Sequence, residues 1–162
     1  MAGEDPGFVV RDAGPDDIGP LLSLIRRLAA FEREPDAVRT TEDDLREALF
    51  GRRPRVFALV ADAGGEVVGM AFYFVTFSTW TGRHGLWLED LFVDEAHRSH
   101  GVGRALVGAL VTLAEALGYS RVEWSVLDWN EAAIAFYRSL GAAPQDDWTT
   151  WRLTLGTGVS EG

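Results

Sequence analysis

Part-way along this sequence the spacing of its apolar residues changes period, and that change limits the possible folds more than any other feature. Ile18, Leu21, Leu22, Ile25, Leu28 and Phe31 recur as they would on one face of a helix. Asp16 and Asp17, just after Pro15, suit the start of that helix through capping and the helix dipole. Thr41-Glu42-Asp43-Asp44 resembles a capping box and predicts a short second helix through Leu45, Leu49 and Phe50. The spacing then drops towards two. Residues 56–61, 67–77 and 86–93 read as strands, with turns at Gly64-Gly65 and Thr81-Gly82-Arg83; Phe8-Val9-Val10 is a short strand ahead of the first helix. A helix over about 103–117, closed by Gly118, comes next, followed by a strand at 121–126. Asn130 caps a last helix that runs to Leu140 and ends at Gly141, and 148–155 reads as a final strand. The order predicts an α/β chain with a central mixed, largely antiparallel sheet and helices on its faces.

The length of 162 residues suits one domain, 1–162, with its core over about 8–155. At this size the chain buries roughly two thirds of its unfolded surface, enough to fold without a metal or disulfide. Asp and Glu total 25 against 15 basic residues, for a net charge of −10; every basic residue is Arg, and Lys and Cys are absent. That balance disfavours a nucleic-acid surface, which needs a basic face. The lack of Cys excludes disulfides, cysteine–metal sites and a cysteine nucleophile. Met1-Ala2-Gly3-Glu4-Asp5 has no basic or apolar signal pattern. The longest apolar stretch, Leu106 to Ala114, is interrupted by Gly108 and Thr112, far short of the ~20 residues that span a bilayer. A cytoplasmic protein with no membrane and no nucleic-acid partner is expected. The acidic surface suits a cationic substrate, and equally suits simple solubility.

The segment richest in chemistry is Leu86-Trp87-Leu88-Glu89-Asp90-Leu91-Phe92-Val93 with the Arg98-Ser99-His100-Gly101-Val102-Gly103-Arg104 that follows. A strand leads by a short loop into Arg-x-x-Gly-x-Gly at the start of a helix. The glycines let the backbone approach a ligand, and the first helical amides lack intrahelical acceptors, so they offer an anion site. A Walker loop needs a Lys, which the chain lacks; the dinucleotide fingerprint wants a glycine directly after its strand and a small residue where Leu106 stands.

Arg98-x-x-Gly101-x-Gly103 resembles the cofactor loop of the GNAT N-acetyltransferases. Asn130-Glu131-Ala132-Ala133-Ile134-Ala135-Phe136-Tyr137-Arg138-Ser139-Leu140-Gly141 resembles their closing motif. Leu28-Ala29-Ala30-Phe31-Glu32, the Leu-Glu-Asp-Leu-Phe-Val strand, Trp129-Asn130-Glu131 and Trp151-Arg152-Leu153 look like the diamine branch of spermidine/spermine and thialysine enzymes. The resemblance spans most of the chain and implies acetyl-CoA as co-substrate, no metal and a homodimer. It implies that amides of Ser99, His100, Gly101, Val102, Gly103 and Arg104 hold the pyrophosphate, with charge from Arg98 and Arg104. A bulge in the strand of Glu89 would free the backbone at Leu91, Phe92 and Val93 for the pantetheine arm. Asn130, Glu131, Ala132, Ala133, Phe136 and Tyr137 would border it. His84 and His97 are read as surface residues.

A primary amine with a pKa near 10.4 is neutral in about one molecule per thousand at pH 7, so deprotonation costs roughly 4 kcal/mol. The resemblance gives Glu89 the task of binding the amine and helping to remove its proton, and gives Tyr137 the task of protonating the departing thiolate. By themselves the residues leave Glu89 open as a strand carboxylate paired with Arg, and Tyr137 as core packing with a bonded hydroxyl. Without Cys, direct attack in a ternary complex is the remaining route. Phe31, Glu32, Glu89, Asp90, Glu123, Trp124 and Ser125 fall where the branch lines its amine channel, and the acidic members would form a negative corridor. Where the branch carries an acidic stretch before its final Trp-Arg, this chain has Trp148-Thr149-Thr150 after Asp146-Asp147, so part of the distal charge recognition differs. The expected activity is acetylation of a small di- or polyamine. The alternatives are thialysine or a related amino acid, a non-catalytic acetyl-CoA-binding module, and acetylation of protein amines.

Overall fold

The five strands pair in their order along the chain. The computed structural model describes residues 6–156. These strands are β1 (Val9–Asp12), β2 (Phe57–Ala63), β3 (Glu66–Ser78), β4 (Arg83–Val93) and β5 (Val122–Glu123). The first four are antiparallel neighbours. β5 joins β4 in parallel through only two pairs, Leu86 with Val122 and Trp87 with Glu123. The helices are α1 (Ile18–Phe31), α2 (Glu42–Phe50), α3 (Val102–Ala116) and α4 (Glu131–Ser139). The expected mixed, mostly antiparallel sheet is therefore present. The chain forms two compact units that meet in sequence between Ser125 and Val126; the sheet and α1–α3 belong to the first, α4 to the second. Among the described residues no helix is long and apolar enough to cross a membrane.

The two faces of the sheet bury different helices. Ala58, Val60, Met70, Phe72 and Phe92 pack with Ile18, Leu21, Leu22 and Leu24 of α1 and Leu45 and Leu49 of α2. Each such aliphatic or aromatic side chain contributes roughly 1.5–3 kcal/mol by leaving water. The opposite face meets α3: a Cβ placed on Gly69 would lie 3.0 Å from Val102 and 3.2 Å from Leu106. Leu106, Leu110 and Val107 complete that side as buried residues.

Capping chemistry sets the helix boundaries. Thr41 Oγ1 accepts from the Asp44 amide, and the Asp44 carboxylate accepts from the Thr41 amide, so the expected capping box forms. Gly118, at φ +71°, follows α3 as the left-handed residue expected there. Asp17 acts differently from the expected helix cap. It ends a 3₁₀ turn (Pro15–Asp17) and reaches backwards, accepting from the Gly14 amide at 2.7 Å. Its two oxygens also take a bidentate pair from the Arg11 guanidinium, at 2.7 and 3.0 Å, and Arg11 reaches Asp62 at 3.0 Å. That network ties β1 to β2 and to the start of α1, and the Arg11 hydrogen bonds hold the Asp17 carboxyl below its ordinary value.

Two strand readings need correction. The strand expected at 121–126 is paired only at Val122–Glu123. The strand expected at 148–155 does not form: its residues lie outside any ladder, with Trp151, Leu153 and Leu155 exposed. Their alternation with polar residues suggested a strand, but a strand exists only where a second backbone supplies hydrogen bonds, and among the described residues none does. The sequence readings for 1–5, and for the end of the chain beyond Gly156, fall outside the described residues.

Candidate active site

The pairing of β4 with β3 skips one residue. Leu88 lies opposite Tyr73 and Asp90 opposite Phe72, so Glu89 is a bulge with no partner of its own. A strictly alternating strand would send Glu89 and Asp90 to opposite faces. Here Asp90 shares the face of Phe72 and Phe92, beside α1, while Leu91 and Val93 pair with Ala71 and Gly69 on the α3 face. Glu89 also reaches the α1 side: its Oε2 accepts from the Trp87 indole at 2.9 Å, and Trp87 pairs with Phe74 on that face. The bulge therefore presents two successive carboxylates on one side of the sheet.

Glu32, the residue that caps the C-terminal end of α1, lies near enough to act on the charge of Asp90. Burial, then the Glu89 charge, then the Glu32 charge push the Asp90 carboxyl up to about 6. Burial raises Glu32 as well. Glu123, in register with Trp87 on β5, shares this face but is engaged by Arg121 Nε at 2.8 Å. Three of the four corridor carboxylates thus cluster, and the fourth is already paired. Trp124 is half-buried and Ser125 exposed at the end of this unit.

The loop after β4 is built for close approach to an anion. Asp94 accepts from the Ala96 amide and from Arg27 at 2.8 Å, which fixes a 3₁₀ turn (Glu95–His97). Ser99 and Gly101 follow with φ of +65° and +83°. Gly101 is the N-cap of α3, whose first internal bond runs from Ala105 to the Gly101 carbonyl. The amides of Val102 and Gly103 at this helix start face outward from the first turn, and the helix dipole favours a negative acceptor there. Beyond Leu88 no described strand pairs with β4 on the β5 side, which leaves the 88–93 edge for an extended ligand. This donor set fits a pyrophosphate followed by an amide-bearing arm.

Two residues have surroundings that the sequence does not report. Arg98 Nε donates to the Val93 carbonyl at 3.0 Å, and its guanidinium lies 5.1 Å from the Phe31 ring and 5.3 Å from that of Phe92. It stands on the carboxylate face, beside Phe31 and hence beside Glu32. His97, read as a surface residue, is half-buried, with Nδ1 shielded from water at 3.6 Å from Asp94 Oδ2. The sequence also missed a cavity of about 320 Å³ lined by Phe8, Ala63, Ala96, His97, His100 and Val102. Only the folded β1 and β2 ends bring Phe8 and Ala63 to that loop. His84 is exposed, as expected, with Nδ1 3.1 Å from the Thr76 carbonyl.

In the second unit, Asn130 Oδ1 accepts from the Ala133 amide at 3.2 Å and caps α4. Glu131 and Ala132 are exposed and Ala133 is half-buried on its first turn. Phe136 and Tyr137 are half-buried, their ring centroids 5.4 Å apart.

Residues 22–142 match the model of the Acetyltransferase (GNAT) family. The chain belongs to the GNAT acetyltransferase family. It is 36% identical over 151 residues to the thialysine N-epsilon-acetyltransferase of Bos taurus, covering 88% of each protein. It is 33% identical to the human spermidine/spermine N(1)-acetyltransferase-like protein 1, over 90% of this chain and 22% of that protein. A crystal structure of a soil-metagenome aminoglycoside acetyltransferase shares its fold, with a TM-score of 0.78 at 20% identity over 94% of this chain and 99% of the other. This GNAT protein is an N-acetyltransferase, and acetyl-CoA, the co-substrate of its family, supplies the acetyl group as an activated thioester. Among the described residues no group of three or more His, Asp or Glu side chains is arranged to hold a metal.

Proposed function

We propose that this acetyltransferase acts on the primary amine of a small substrate carrying a second cationic group, a di- or polyamine first. The observation that carries the reading is the Glu89 bulge, which sets Glu89 and Asp90 on the face where Glu32 ends α1. A cluster of like charges is costly to assemble and becomes favourable when cations neutralise it. One ammonium group between Glu89 and Asp90 and a second towards Glu32 meet that need. Glu89 binds the reacting amine and assists its deprotonation, directly or through water. The amides of 99–104 hold the pyrophosphate, the edge at Leu91 and Val93 pairs with the pantetheine arm, and Tyr137 protonates the leaving sulfur. The acetyltransferase works as a cytoplasmic homodimer, with no nucleic-acid or membrane partner.

Arg98 supports a second reading. Its guanidinium, held over Phe31 and Phe92, offers a cation on the same face, and an amino acid such as thialysine carries a carboxylate to meet it. Replacing Arg98 by Gln separates the two: a fall in kcat/KM for thialysine relative to spermidine favours the amino acid, and an unchanged ratio favours the polyamine.

The test of the activity is CoA release from acetyl-CoA across spermidine, putrescine, thialysine, lysine and an aromatic amine. Turnover of the dicationic amines is expected. Binding of CoA without thiol release from any of them would identify a binding module instead, and a kinetic preference for the neutral aromatic amine would remove the role of the carboxylates.

A further inference from the structure

We propose that Trp87 is the positioning residue of the amine site, its indole N–H holding the Glu89 carboxylate in the direction from which it meets the reacting ammonium group. Glu89 keeps the task it has in the proposed acetyl transfer, on which this role of Trp87 rests. The contact itself is short and well defined: the indole Nε1 donates to Glu89 Oε2 at 2.9 Å.

Glu89 needs such a support because the bulge takes away the usual ones. It has no partner on β3, and β5 stops pairing with β4 at Trp87, two residues earlier. Its side chain is exposed. A Glu side chain free in solvent samples many rotamers, and fixing it costs on the order of 1.5–2 kcal/mol. Among the described residues the Trp87 indole is the hydrogen-bond donor that reaches this carboxylate.

Trp87 is itself held on both sides. Its backbone is in register with Phe74 of β3 and with Glu123 of β5, the last position at which β4 has a described neighbour on each edge. The residue is half-buried, and its ring lies 6.4 Å from that of Phe74. Glu123, the other carboxylate beside it, is engaged by Arg121 Nε at 2.8 Å, which leaves the indole to Glu89. A fixed residue thus orients one that the sheet leaves loose.

The kind of donor matters as much as its place. An indole N–H donates and accepts nothing. The incoming ammonium ion is also a donor only, so the Trp87 N–H cannot capture it in place of the carboxylate. A hydroxyl or a side-chain amide here would offer an acceptor of its own. By occupying Oε2, Trp87 leaves Oε1 for the ammonium N–H, or for a water that carries its proton. A carboxylate held in advance gives up no rotamer freedom when the amine arrives and is already aimed when the proton leaves.

The test is a double-mutant cycle on thiol release from acetyl-CoA with spermidine and with thialysine, acetyl-CoA binding being measured on each variant to show that it is folded. Trp87→Phe keeps a ring beside Phe74 and removes the N–H. Its kcat is expected to fall about tenfold or more, the scale of a hydrogen bond to a charged group, with the KM for acetyl-CoA unchanged. In Glu89→Ala the same substitution is expected to change kcat by less than about twofold, because nothing is left to hold. A role in packing alone would cost the same in both backgrounds. Trp87→His places a ring nitrogen where Nε1 stands and is expected to turn over faster than Trp87→Phe despite its smaller ring. If Trp87→Phe does not bind acetyl-CoA, Trp87→His still decides, with turnover expected nearer to the unaltered chain than to Glu89→Ala. Equal losses in the two backgrounds overturn the proposal, as does an unchanged kcat in Trp87→Phe or a Trp87→His no faster than Trp87→Phe. Full turnover by Glu89→Ala removes the task of Glu89 and the proposal with it. Unaltered protein that binds acetyl-CoA yet releases no thiol with either amine overturns the acetyl-transfer reading itself. Slow Glu89→Ala beside normal Trp87→Phe overturns the proposal alone.

Discussion

Asp90 is charged in most molecules at neutral pH at a cost that the fold carries. Its carboxyl is raised from the ordinary 3.8 to about 6, so between those values the native state binds more protons than the unfolded chain. Stability must then fall as pH rises through that window and stay lowered above it. Asp90→Asn removes the penalty: urea denaturation is expected to show a gain of up to about 3 kcal/mol at pH 7 and none at pH 3. Asp17 has the opposite sign. Its depressed carboxyl adds stability above the ordinary value, which is lost as pH falls through the lowered one. Arg11→Leu leaves that buried carboxylate unpaired, and denaturation at pH 7 is expected to show a loss of about 3–5 kcal/mol. Tyr137→Phe keeps the half-buried ring and removes only the hydroxyl; kcat is expected to drop by roughly 10²–10⁴-fold with acetyl-CoA affinity unchanged. Much of this scale was legible in the sequence as residue types at family spacing. The distinction between Glu89 and Asp90 was not, because adjacent carboxylates in one strand look alike until a bulge and a neighbouring indole give them different surroundings.

Among the elements, local signals were read well and long-range ones poorly. The Thr41 box, the Asn130 cap and the left-handed Gly118 and Gly141 each act within a few residues of themselves, and each appears where its chemistry predicts. Asp17 failed as a helix cap because Arg11 and the Gly14 amide, arriving from the other direction, take its oxygens. The strand at 148–155 failed because pairing needs a second backbone, which alternation in one segment cannot report. The motif around Arg98 says nothing of Phe31, which α1 packing on the sheet brings next to it. Two glycines test how closely α3 must sit. Gly108, inside α3, has open space around the position of a Cβ, so Gly108→Ala should raise stability by about 0.8 kcal/mol and leave acetyl-CoA binding unchanged. Gly69→Ala should lower both stability and acetyl-CoA affinity, since the new methyl meets Val102 and Leu106 at the helix start. Calorimetry on the two variants should show changes of opposite sign.

For the whole molecule, the charge of −10 and the absence of Lys shape how ligands bind. On the proposed reading, an acidic protein that takes an anionic co-substrate must focus its positive potential locally, and outward amides at the start of α3 are placed to supply it. In the proposed function the excess carboxylate serves the other substrate. The mixed sheet was readable from the order of helical and alternating segments, whereas the clustering of Glu32 with Glu89 and Asp90 depends on pairing across more than fifty residues of sequence. The central claim is that the second cation of the substrate is recognised. Its most direct test is kcat/KM for putrescine against butylamine, which has the same chain without the distal ammonium. A charge-assisted contact worth about 1.5–3 kcal/mol predicts a preference of roughly tenfold or more for the diamine. Equal values, or a preference for butylamine, would contradict it.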